Sequence, residues 1–248
     1  MFVCVALALS ACSDALPYHA RGEVVGSYAH DDTAFTQGLV FDDDTLYEST
    51  GLYGESSLRR VDLETGEVLQ IERLPDQLFG EGCTVWKDTI VQLTWKAGIG
   101  FVYDKESFAV RRRFSYEGEG WGLTHDGKRL VMSDGTSYLR FLDPGTLEEV
   151  GRVQVLDKGE PVERLNELEW VNGQVWANVW QTPNVVRINP KNGEVLGWID
   201  FSELTEQEPR GVLNGIARKG RRIFVTGKKW TSIYQVEIKP AESASGTR

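Results

Sequence analysis

The sequence predicts an all-β protein, a five-bladed β-propeller of four-stranded antiparallel blades. The main observation is a short phrase with a small or apolar outline that recurs five times in the 248 residues. Its copies are Phe35-Thr-Gln-Gly-Leu39, Phe79-Gly-Glu-Gly-Cys83, Gly120-Trp-Gly-Leu-Thr124, Leu165-Asn-Glu-Leu-Glu169 and Leu213-Asn-Gly-Ile-Ala217. The copies lie 44, 40, 46 and 48 residues apart when counted from the markers Gln37, Glu81, Trp121, Glu167 and Gly215. A period of this length is typical of propeller blades.

A second repeat supports the first. Four strand-turn-strand segments open their turns with an Asp or Asn, at Asp62, Asp104, Asp143 and Asn189, in steps of 42, 39 and 46 residues. Asp and Asn side chains can cap such turns. Each unit therefore contains an inner strand that carries the phrase, a middle strand and an outer hairpin. We expect the fifth unit to close with both termini, residues 24–28 pairing near 233–238.

The local patterns agree with a single β domain. Apolar alternation in short runs is common, as at residues 91–95 and 222–226, whereas helix periodicity is scarce. Turn dipeptides such as Asp126-Gly127 and Asn172-Gly173 separate the runs. We place the propeller at residues 23–240, with a polar surface insertion at 203–210 and a disordered tail at 241–248.

The N-terminus predicts export. A short apolar run at residues 3–9 precedes Leu9-Ser-Ala-Cys12, which resembles a bacterial lipobox. Residues 1–11 are then a signal peptide, Cys12 carries a lipid, and residues 12–22 form a tether. Ordinary secretion and a chance match are the alternatives. The expected location is the bacterial cell envelope, periplasmic or secreted, with membrane contact only through Cys12.

Composition and charge exclude several classes of function. The formal net charge is −10, so we expect no nucleic-acid partner. The basic run at residues 111–113 is interpreted as a solvated sheet edge, with a binding patch as the alternative. Beyond the N-terminal Cys4 and Cys12, the chain has one cysteine, Cys83, which is expected to be a buried apolar residue rather than a nucleophile. The sequence contains no coiled coil, and we expect a monomer.

The five phrases and their neighbours resemble the plant and bacterial glutaminyl-peptide cyclotransferases, also called glutamine cyclotransferases. The resemblance runs from about Tyr28 to Ile238. It is carried by the phrases above together with Leu93-Thr-Trp95, Glu119-Gly-Trp-Gly-Leu123, Asn166-Glu-Leu-Glu-Trp170, Ala177-Asn-Val-Trp180 and Thr226-Gly-Lys228. It implies a five-bladed propeller that cyclises the N-terminal Gln of peptides and proteins to pyroglutamate, releasing ammonia. The partners implied are peptides or proteins with N-terminal Gln.

Glu81 is the candidate general acid/base. Gly80 and Gly82 flank it, which would let backbone approach a ligand closely. Phe79 and the tryptophans around the axis would lower the local polarity and raise the pKa of the carboxyl. Glu81 also matches the position of the family's catalytic Glu. Without the resemblance, a structural Glu in a Gly-rich turn is the favoured interpretation.

The other candidate site residues are polar or aromatic. Trp95, Trp121 and Trp180 match active-site tryptophans of the family; they would form the pocket wall, and an indole N–H could hold the amide oxygen. Outside that resemblance, a Trp is more often a core residue. Phe35 and Phe79 would complete the wall.

Amide and amino groups complete the candidate site. Gln37 and Asn166 each offer a donor and an acceptor that could orient an amide. Lys228 matches a pocket Lys of the family and would polarise the γ-carbonyl or hold Glu81 in place; otherwise it is a loop charge. Its neighbour Lys229 is expected to face solvent. Asn214 either lines the pocket or supports a turn, and Glu167 is expected to brace the inner strand.

The sequence favours catalysis without a metal. Its three histidines, His19, His30 and His125, are too scattered for a two-His zinc site, and the resemblance implies an activity without zinc. Asp42-Asp-Asp44 offers oxygens for a structural Ca²⁺, although a solvated acidic turn is the simpler interpretation. No cofactor is expected.

Two other functions remain open from the sequence. One is a non-catalytic propeller of the cell envelope that binds peptides or sugars in an aromatic cleft, because propellers have many functions. The other is a scaffold subunit of an envelope complex. A Glu surrounded by Trp, Asn and Lys at the axis distinguishes the enzyme from both.

Overall fold

The computed structural model describes residues 16–208 and 210–241. The predicted signal peptide, the lipidation site Cys12 and residues 242–248 of the predicted tail lie outside the described residues. The described chain is all-β apart from one short helix, as predicted. None of its helices has the length and apolar character needed to cross a membrane.

The strands follow one another along the chain with short connections. They are β1 (His19–Ala29), β2 (Thr36–Asp42), β3 (Thr45–Thr50), β4 (Ser57–Val61), β5 (Val68–Arg73), β6 (Gly80–Trp86), β7 (Thr89–Thr94), β8 (Ile99–Asp104), β9 (Val110–Ser115), β10 (Leu123–His125), β11 (Leu130–Met132), β12 (Tyr138–Leu142), β13 (Glu149–Gln154), β14 (Leu156–Asp157), β15 (Glu160–Pro161), β16 (Leu165–Val171), β17 (Gln174–Val179), β18 (Asn184–Ile188), β19 (Val195–Asp200), β20 (Leu213–Lys219), β21 (Arg222–Gly227) and β22 (Ser232–Pro240). Helix α1 (Ser202–Gln207) lies between β19 and β20.

Twenty of the 22 strands in the described chain form five antiparallel units of four, and β14 and β15 form a separate two-stranded sheet. Units one to three are the separate sheets β2–β5, β6–β9 and β10–β13. Unit four is β16–β19, and unit five is β20–β22 with β1. These last two units join in one eight-stranded sheet, because β1 pairs in parallel with β19 at His19–Trp198 and Arg21–Asp200. The expectation of five separate four-stranded sheets therefore holds for three units and is corrected for the other two.

The two ends of the chain close the fifth unit. β1 pairs antiparallel with β22, Val24 facing Val236 and Tyr28 facing Ile233. This confirms the predicted pairing of residues 24–28 with 233–238. The strand begins at His19, so residues 19–22, which the sequence assigned to the tether, belong to the sheet.

The inner strands β2, β6, β10, β16 and β20 contact one another in cyclic order. Glycines of the repeated phrase make this approach possible. A Cβ on Gly38 would lie 2.6 Å from the Cys83 nitrogen, and one on Gly122 would lie 2.0 Å from the Asn166 oxygen. Gly82 would likewise meet Leu123 at 2.6 Å. The glycine after Glu81 thus accommodates the next inner strand, rather than a ligand as the sequence suggested.

The ladders between inner and middle strands shift register at the phrase, which is typical of a β-bulge. The shifts fall between Thr36 and Gly38, Gly80 and Cys83, Leu165 and Leu168, and Leu213 and Ile216. This alignment makes Gln37, Glu81, Asn166 and Asn214 equivalent. The markers Glu167 and Gly215 were therefore one residue late, and Glu167 stands where the other units have glycine.

Glu167 uses that position to link three units. Its Oε1 accepts from the Leu39 N–H at 3.3 Å and its Oε2 from the Ile216 N–H at 2.8 Å. The side chain is buried. This confirms the predicted bracing role. Burial, aided by the negative charge of Glu169, raises the pKa of Glu167 well above its ordinary value.

Several smaller predictions are also confirmed. The Asp and Asn residues that open the outer turns accept from backbone N–H groups, for example Asp62 from Thr65 and Asp143 from Thr146, both at 2.8 Å. The arginines at 111–113 lie exposed on the outermost strand β9. Cys83 is a buried free thiol.

The polar insertion at residues 203–210 differs from its expectation as a surface segment. It overlaps α1, whose Leu204 is buried in the core. Glu208 is buried too and accepts from the hydroxyls of Thr231 and Tyr234 at 3.1 and 2.9 Å. These contacts fix the segment against unit five.

We predict that Glu167→Leu destabilises the fold. The change leaves two buried backbone N–H groups without acceptors, and each costs about 1–3 kcal/mol. Urea denaturation should show a loss of about 2–4 kcal/mol in the free energy of unfolding. Glu167→Gln keeps one carbonyl acceptor and should lose about half as much. Equal stability of all three proteins would contradict the bracing role.

We predict that stability falls as the pH rises from about 5 to about 8. Burial raises the pKa of Glu169 to about 8, so the folded protein holds a proton that the unfolded chain has released above about 4.5. Folding is then favoured at low pH within this window, and the advantage is lost as the pH passes through the folded pKa. Glu169→Gln should make the dependence shallower by up to about 4 kcal/mol over that range. Thermal unfolding at several pH values measures the difference; parallel curves would contradict it.

Candidate active site

A cavity of about 470 Å³ opens at one end of the ring of inner strands. Its walls come from the starts of inner strands and the ends of middle strands, which meet at that end. Nine predicted side chains line it: Phe35, Gln37, Phe79, Glu81, Trp95, Trp121, Asn166, Trp180 and Lys228. Of the predicted pocket residues, only Asn214 is outside the lining.

Glu81 is the one carboxylate of the lining, and it is 4% exposed. Gln37 Nε2 donates to its Oε1 at 2.7 Å, and the Ser49 hydroxyl donates to its backbone oxygen. Burial raises the pKa of Glu81 well above the ordinary value; Lys228 opposes this shift, Glu119 adds to it, and the Gln37 bond opposes it. Gln37 thus holds the Glu81 carboxyl in place, and burial favours the protonated form of that carboxyl.

Gln37 and Asn214 form the support behind Glu81. Asn214 Nδ2 donates to Gln37 Oε1 at 3.0 Å and to the Thr36 oxygen at 2.9 Å, and Asn214 is fully buried. Of the two roles expected for Asn214, lining the pocket or supporting a turn, the structure places it outside the lining and behind Gln37. Gln37 was predicted to bind substrate, but its amide already spans Asn214 and Glu81, so it orients the carboxyl.

Lys228 follows β21 and is 7% exposed. Its Nζ lies 4.9 Å from the centroid of the Phe35 ring, and it makes no direct ion pair with Glu81. Burial lowers the pKa of Lys228, whereas the negative charge of Glu81 raises it. Glu81, an acid, and Lys228, a base, therefore both line the cavity and do not pair directly with each other.

The aromatic side chains form two packed groups in the wall. The Phe79 ring lies edge-on to Phe35 and Trp95, with centroids 6.0 and 5.5 Å apart. Trp121 and Trp180 meet edge to face at 5.5 Å. Edge-to-face contacts at these distances are favourable, so they stabilise the aromatic wall around the polar groups.

Glu119 holds two of these tryptophans, and sequence reasoning did not assign it a role. Its Oε2 accepts from Trp95 Nε1 at 2.6 Å and from Trp121 Nε1 at 2.9 Å. These two indole N–H groups are therefore occupied, contrary to the expectation that any of the three could hold an amide oxygen. Trp180 makes no hydrogen bond through its indole within the described chain. The sequence did offer a signal for this role, because Glu119 is separated by a single glycine from Trp121, a predicted pocket residue.

Asn166 lines the cavity from unit four, at the position equivalent to Glu81. It is 2% exposed, and its Oδ1 has no hydrogen-bond partner in the described parts of the chain. Its backbone oxygen accepts from the Ser133 hydroxyl at 2.7 Å, which fixes the main chain. The site thus contains a buried acceptor that is not satisfied by the protein.

The opening adds residues that the sequence did not assign to the site. Gln181, Arg210 and Lys229 line it and are exposed. The exposure of Lys229 confirms that it faces solvent. Arg210 was placed in a surface insertion, and the structure places it in the lining of the cavity.

The donor groups do not suit a metal ion. The lining contains one carboxylate and neither His nor Cys, and the described ranges 16–208 and 210–241 contain no cluster of three His, Cys, Asp or Glu able to hold one. Asp42 pairs with Lys105 at 2.6 Å, and Asp44 pairs with Lys219 at 2.7 Å. The acidic turn considered for Ca²⁺ therefore has lysines as partners.

A family model described as glutamine cyclotransferase matches residues 1–238. The chain belongs to the glutamine cyclotransferase family. It is 46% identical over 234 residues to the glutaminyl-peptide cyclotransferase of Arabidopsis thaliana, covering 90% of this chain and 73% of that protein. As a family member it is an enzyme of the acyltransferase class, as the sequence resemblance implied.

Solved structures agree with the family assignment. The crystal structure of Myxococcus xanthus glutaminyl cyclase matches with a TM-score of 0.86 at 38% identity, covering 91% of this chain and 100% of that chain. BamB from Moraxella catarrhalis matches with a TM-score of 0.50 at 12% identity over 90% of this chain and 99% of that chain. The second likeness bears on the fold alone.

We predict that Glu119→Gln lowers the pKa of Glu81. The amide oxygen still accepts from the two indoles, but the negative charge that disfavours ionisation of Glu81 is gone. The titration of Glu81 can be followed by carboxyl ¹³C NMR. The control is Glu117→Gln, which removes an exposed charge two residues before Glu119 in the sequence. A Glu81 titration that is unchanged by Glu119→Gln would contradict the proposed coupling.

Proposed function

We propose that this protein is a glutaminyl-peptide cyclotransferase, which converts N-terminal glutaminyl residues of peptides and proteins to pyroglutamyl residues and releases ammonia. The observation that carries the proposal is the buried, oriented Glu81 inside an aromatic cavity that also holds Lys228 and the unpaired Asn166 oxygen. The names of the Arabidopsis and Myxococcus relatives support the same reaction.

We also propose that the five units are the blades of a five-bladed propeller. The cyclic contacts of the inner strands and the closure of unit five by both termini support this architecture. In such a ring, the equivalent positions of the five inner strands converge on one axis, and four of them lie at a register shift. This places Glu81, Gln37 and Asn166 around a single space, although they are far apart in sequence.

The proposed reaction needs one bond to form and one to break. The α-amine nitrogen of the substrate attacks the carbon of its own side-chain amide, and a five-membered lactam closes. The bond from that carbon to the amide nitrogen then breaks. One proton leaves the α-amine and one reaches the departing nitrogen, so the products are the pyroglutamyl peptide and ammonia. The nucleophile and electrophile belong to one flexible residue, so orientation in a rigid wall contributes much of the acceleration.

Glu81 is the proposed proton shuttle. A carboxyl whose pKa is raised by burial can accept the amine proton and then donate it to the leaving nitrogen. Gln37 holds one oxygen of Glu81, whose side chain lines the cavity. The support from Asn214 keeps this arrangement fixed while the proton moves.

Lys228 and Trp180 are the groups available to stabilise the developing oxyanion. The indoles of Trp95 and Trp121 are held by Glu119, which leaves the Trp180 N–H and the Lys228 ammonium as donors. A positive charge in a buried site stabilises an oxyanion far more than it would in water. The unpaired Asn166 Oδ1 can accept a hydrogen bond from the substrate α-amine and so orient the amine for attack.

We propose that the reaction proceeds without a metal or another cofactor. The lining residues offer the proton shuttle and the oxyanion donors, but no set of metal ligands. The envelope location, the lipid on Cys12 and the monomeric state remain proposals from the sequence.

The test of the function is ammonia release from a glutaminyl dipeptide amide by the purified protein, with and without a strong chelator. Release that survives chelation is expected. Release that stops with chelator and returns with added metal would overturn metal independence. A folded protein that binds the peptide but releases no ammonia would indicate the non-catalytic binding function instead.

We predict that Glu81→Gln lowers turnover by about 10²–10⁴-fold, the usual contribution of a general acid/base. Gln is close in size and uncharged, so folding and peptide binding should persist. Ammonia release measures turnover, and tryptophan fluorescence measures peptide binding. Glu64→Gln, at an exposed outer turn, is the matched control. Full turnover in Glu81→Gln would remove the shuttle role, and loss of fold would make Glu81 structural.

A further inference from the structure

The opening of the cavity is cationic. Among its lining residues, the exposed ones are Gln181, Arg210, Gly211 and Lys229; two are positively charged and none is acidic. The whole chain carries a net charge of −10. The sign of the charge at the opening is therefore opposite to that of the molecule.

Lys229 has a fixed backbone and a free charge. Its φ of 61° lies in the left-handed region, and its N–H donates to the Ala34 oxygen at 2.7 Å. Its ammonium forms no ion pair with any residue in the described parts of the chain. The structure thus holds an uncompensated positive charge at the rim.

Further positively charged side chains lie beside the opening. Arg164 Nη1 lies 3.5 Å from Gln181 Oε1, and Lys96 Nζ lies 4.0 Å from the centroid of the Trp95 ring in the wall. Arg210 shares its charge with Asp32, with 3.3 Å between Nη1 and Oδ2, but both side chains are largely exposed. An exposed pair of this kind contributes little and can yield to another carboxylate.

The geometry of the substrate brings its second residue to this rim. If Glu81 and Asn166 act on the N-terminal Gln inside the cavity, the peptide continues from the Gln carbonyl toward solvent. Its second side chain then lies among Lys229, Arg210 and Gln181. We propose that this cationic rim selects peptides with Asp or Glu directly after the N-terminal Gln. The inference rests on the proposed function and specifies its substrate class.

The test compares three peptide amides, Gln-Glu-Ala, Gln-Ala-Ala and Gln-Lys-Ala. The α-amine and the reacting side chain are the same in all three, so their contributions cancel. At low ionic strength, kcat/KM for the Glu peptide should exceed that for the Lys peptide by about fivefold, as expected for a few exposed charge contacts. The difference should lie in KM, because the second residue is remote from the bonds that change. It should shrink at about 1 M salt, where the Debye length is about 3 Å.

Charge reversal at the rim makes the test specific. Lys229→Glu should remove the preference or invert it toward the Lys peptide. Lys128→Glu, at an exposed turn outside the lining, changes the net charge equally and should leave the preference unchanged. Arg210→Gln should weaken the preference by a smaller factor, because Asp32 already offsets part of that charge.

The outcomes separate the two proposals. Ammonia release from all three peptides at equal kcat/KM would overturn the selectivity and leave the proposed function standing. An equal change in preference by Lys229→Glu and Lys128→Glu would also overturn it, since net charge would then be the cause. Release from none of the peptides by folded protein would overturn the proposed function, and the selectivity with it.

Discussion

The close approach of the inner strands is the constraint on which the rest of the structure depends. Strands as near as β2 and β6 leave no room for a side chain at Gly38, where a Cβ would lie 2.6 Å from the next backbone. The fourth unit is the exception, because Glu167 stands at the glycine position. Its carboxyl accepts hydrogen bonds from two backbone N–H groups of neighbouring units. Here a buried side chain joins the inner strands, whereas at the other positions glycine lets their backbones approach directly.

The same packing explains the placement of the site. A bulge follows from the register shift in the inner strand, and it turns the residue before the glycine toward the end of the ring. Glu81 and Asn166 occupy equivalent bulges and both line the cavity, whereas Asn214 occupies another and remains buried beneath Gln37. Residues at equivalent backbone positions thus either line the cavity, as Glu81 and Asn166 do, or support a lining residue from beneath, as Asn214 does.

The charged groups inside the cavity, in its wall and at its opening have different roles. Inside, burial raises the pKa of Glu81 and lowers that of Lys228, and the charge of each group opposes the shift of the other. At the wall, Glu119 uses one oxygen to hold two indoles. At the rim, the charges of Arg210 and Lys229 are exposed to solvent.

The sequence by itself determined the all-β class, the fivefold repeat, the closure by residues 24–28 and the family, because the period, the turn residues and the phrases are local signals. It also identified most of the cavity lining, including Glu81 and Lys228. Only the tertiary structure decided which of those side chains face the cavity and which support others. Gln37, Asn214 and Glu119 illustrate this: their partners lie 44, 177 and 24 residues away, respectively. A hydrogen bond between distant strands depends on how closely the units pack, which no local pattern encodes.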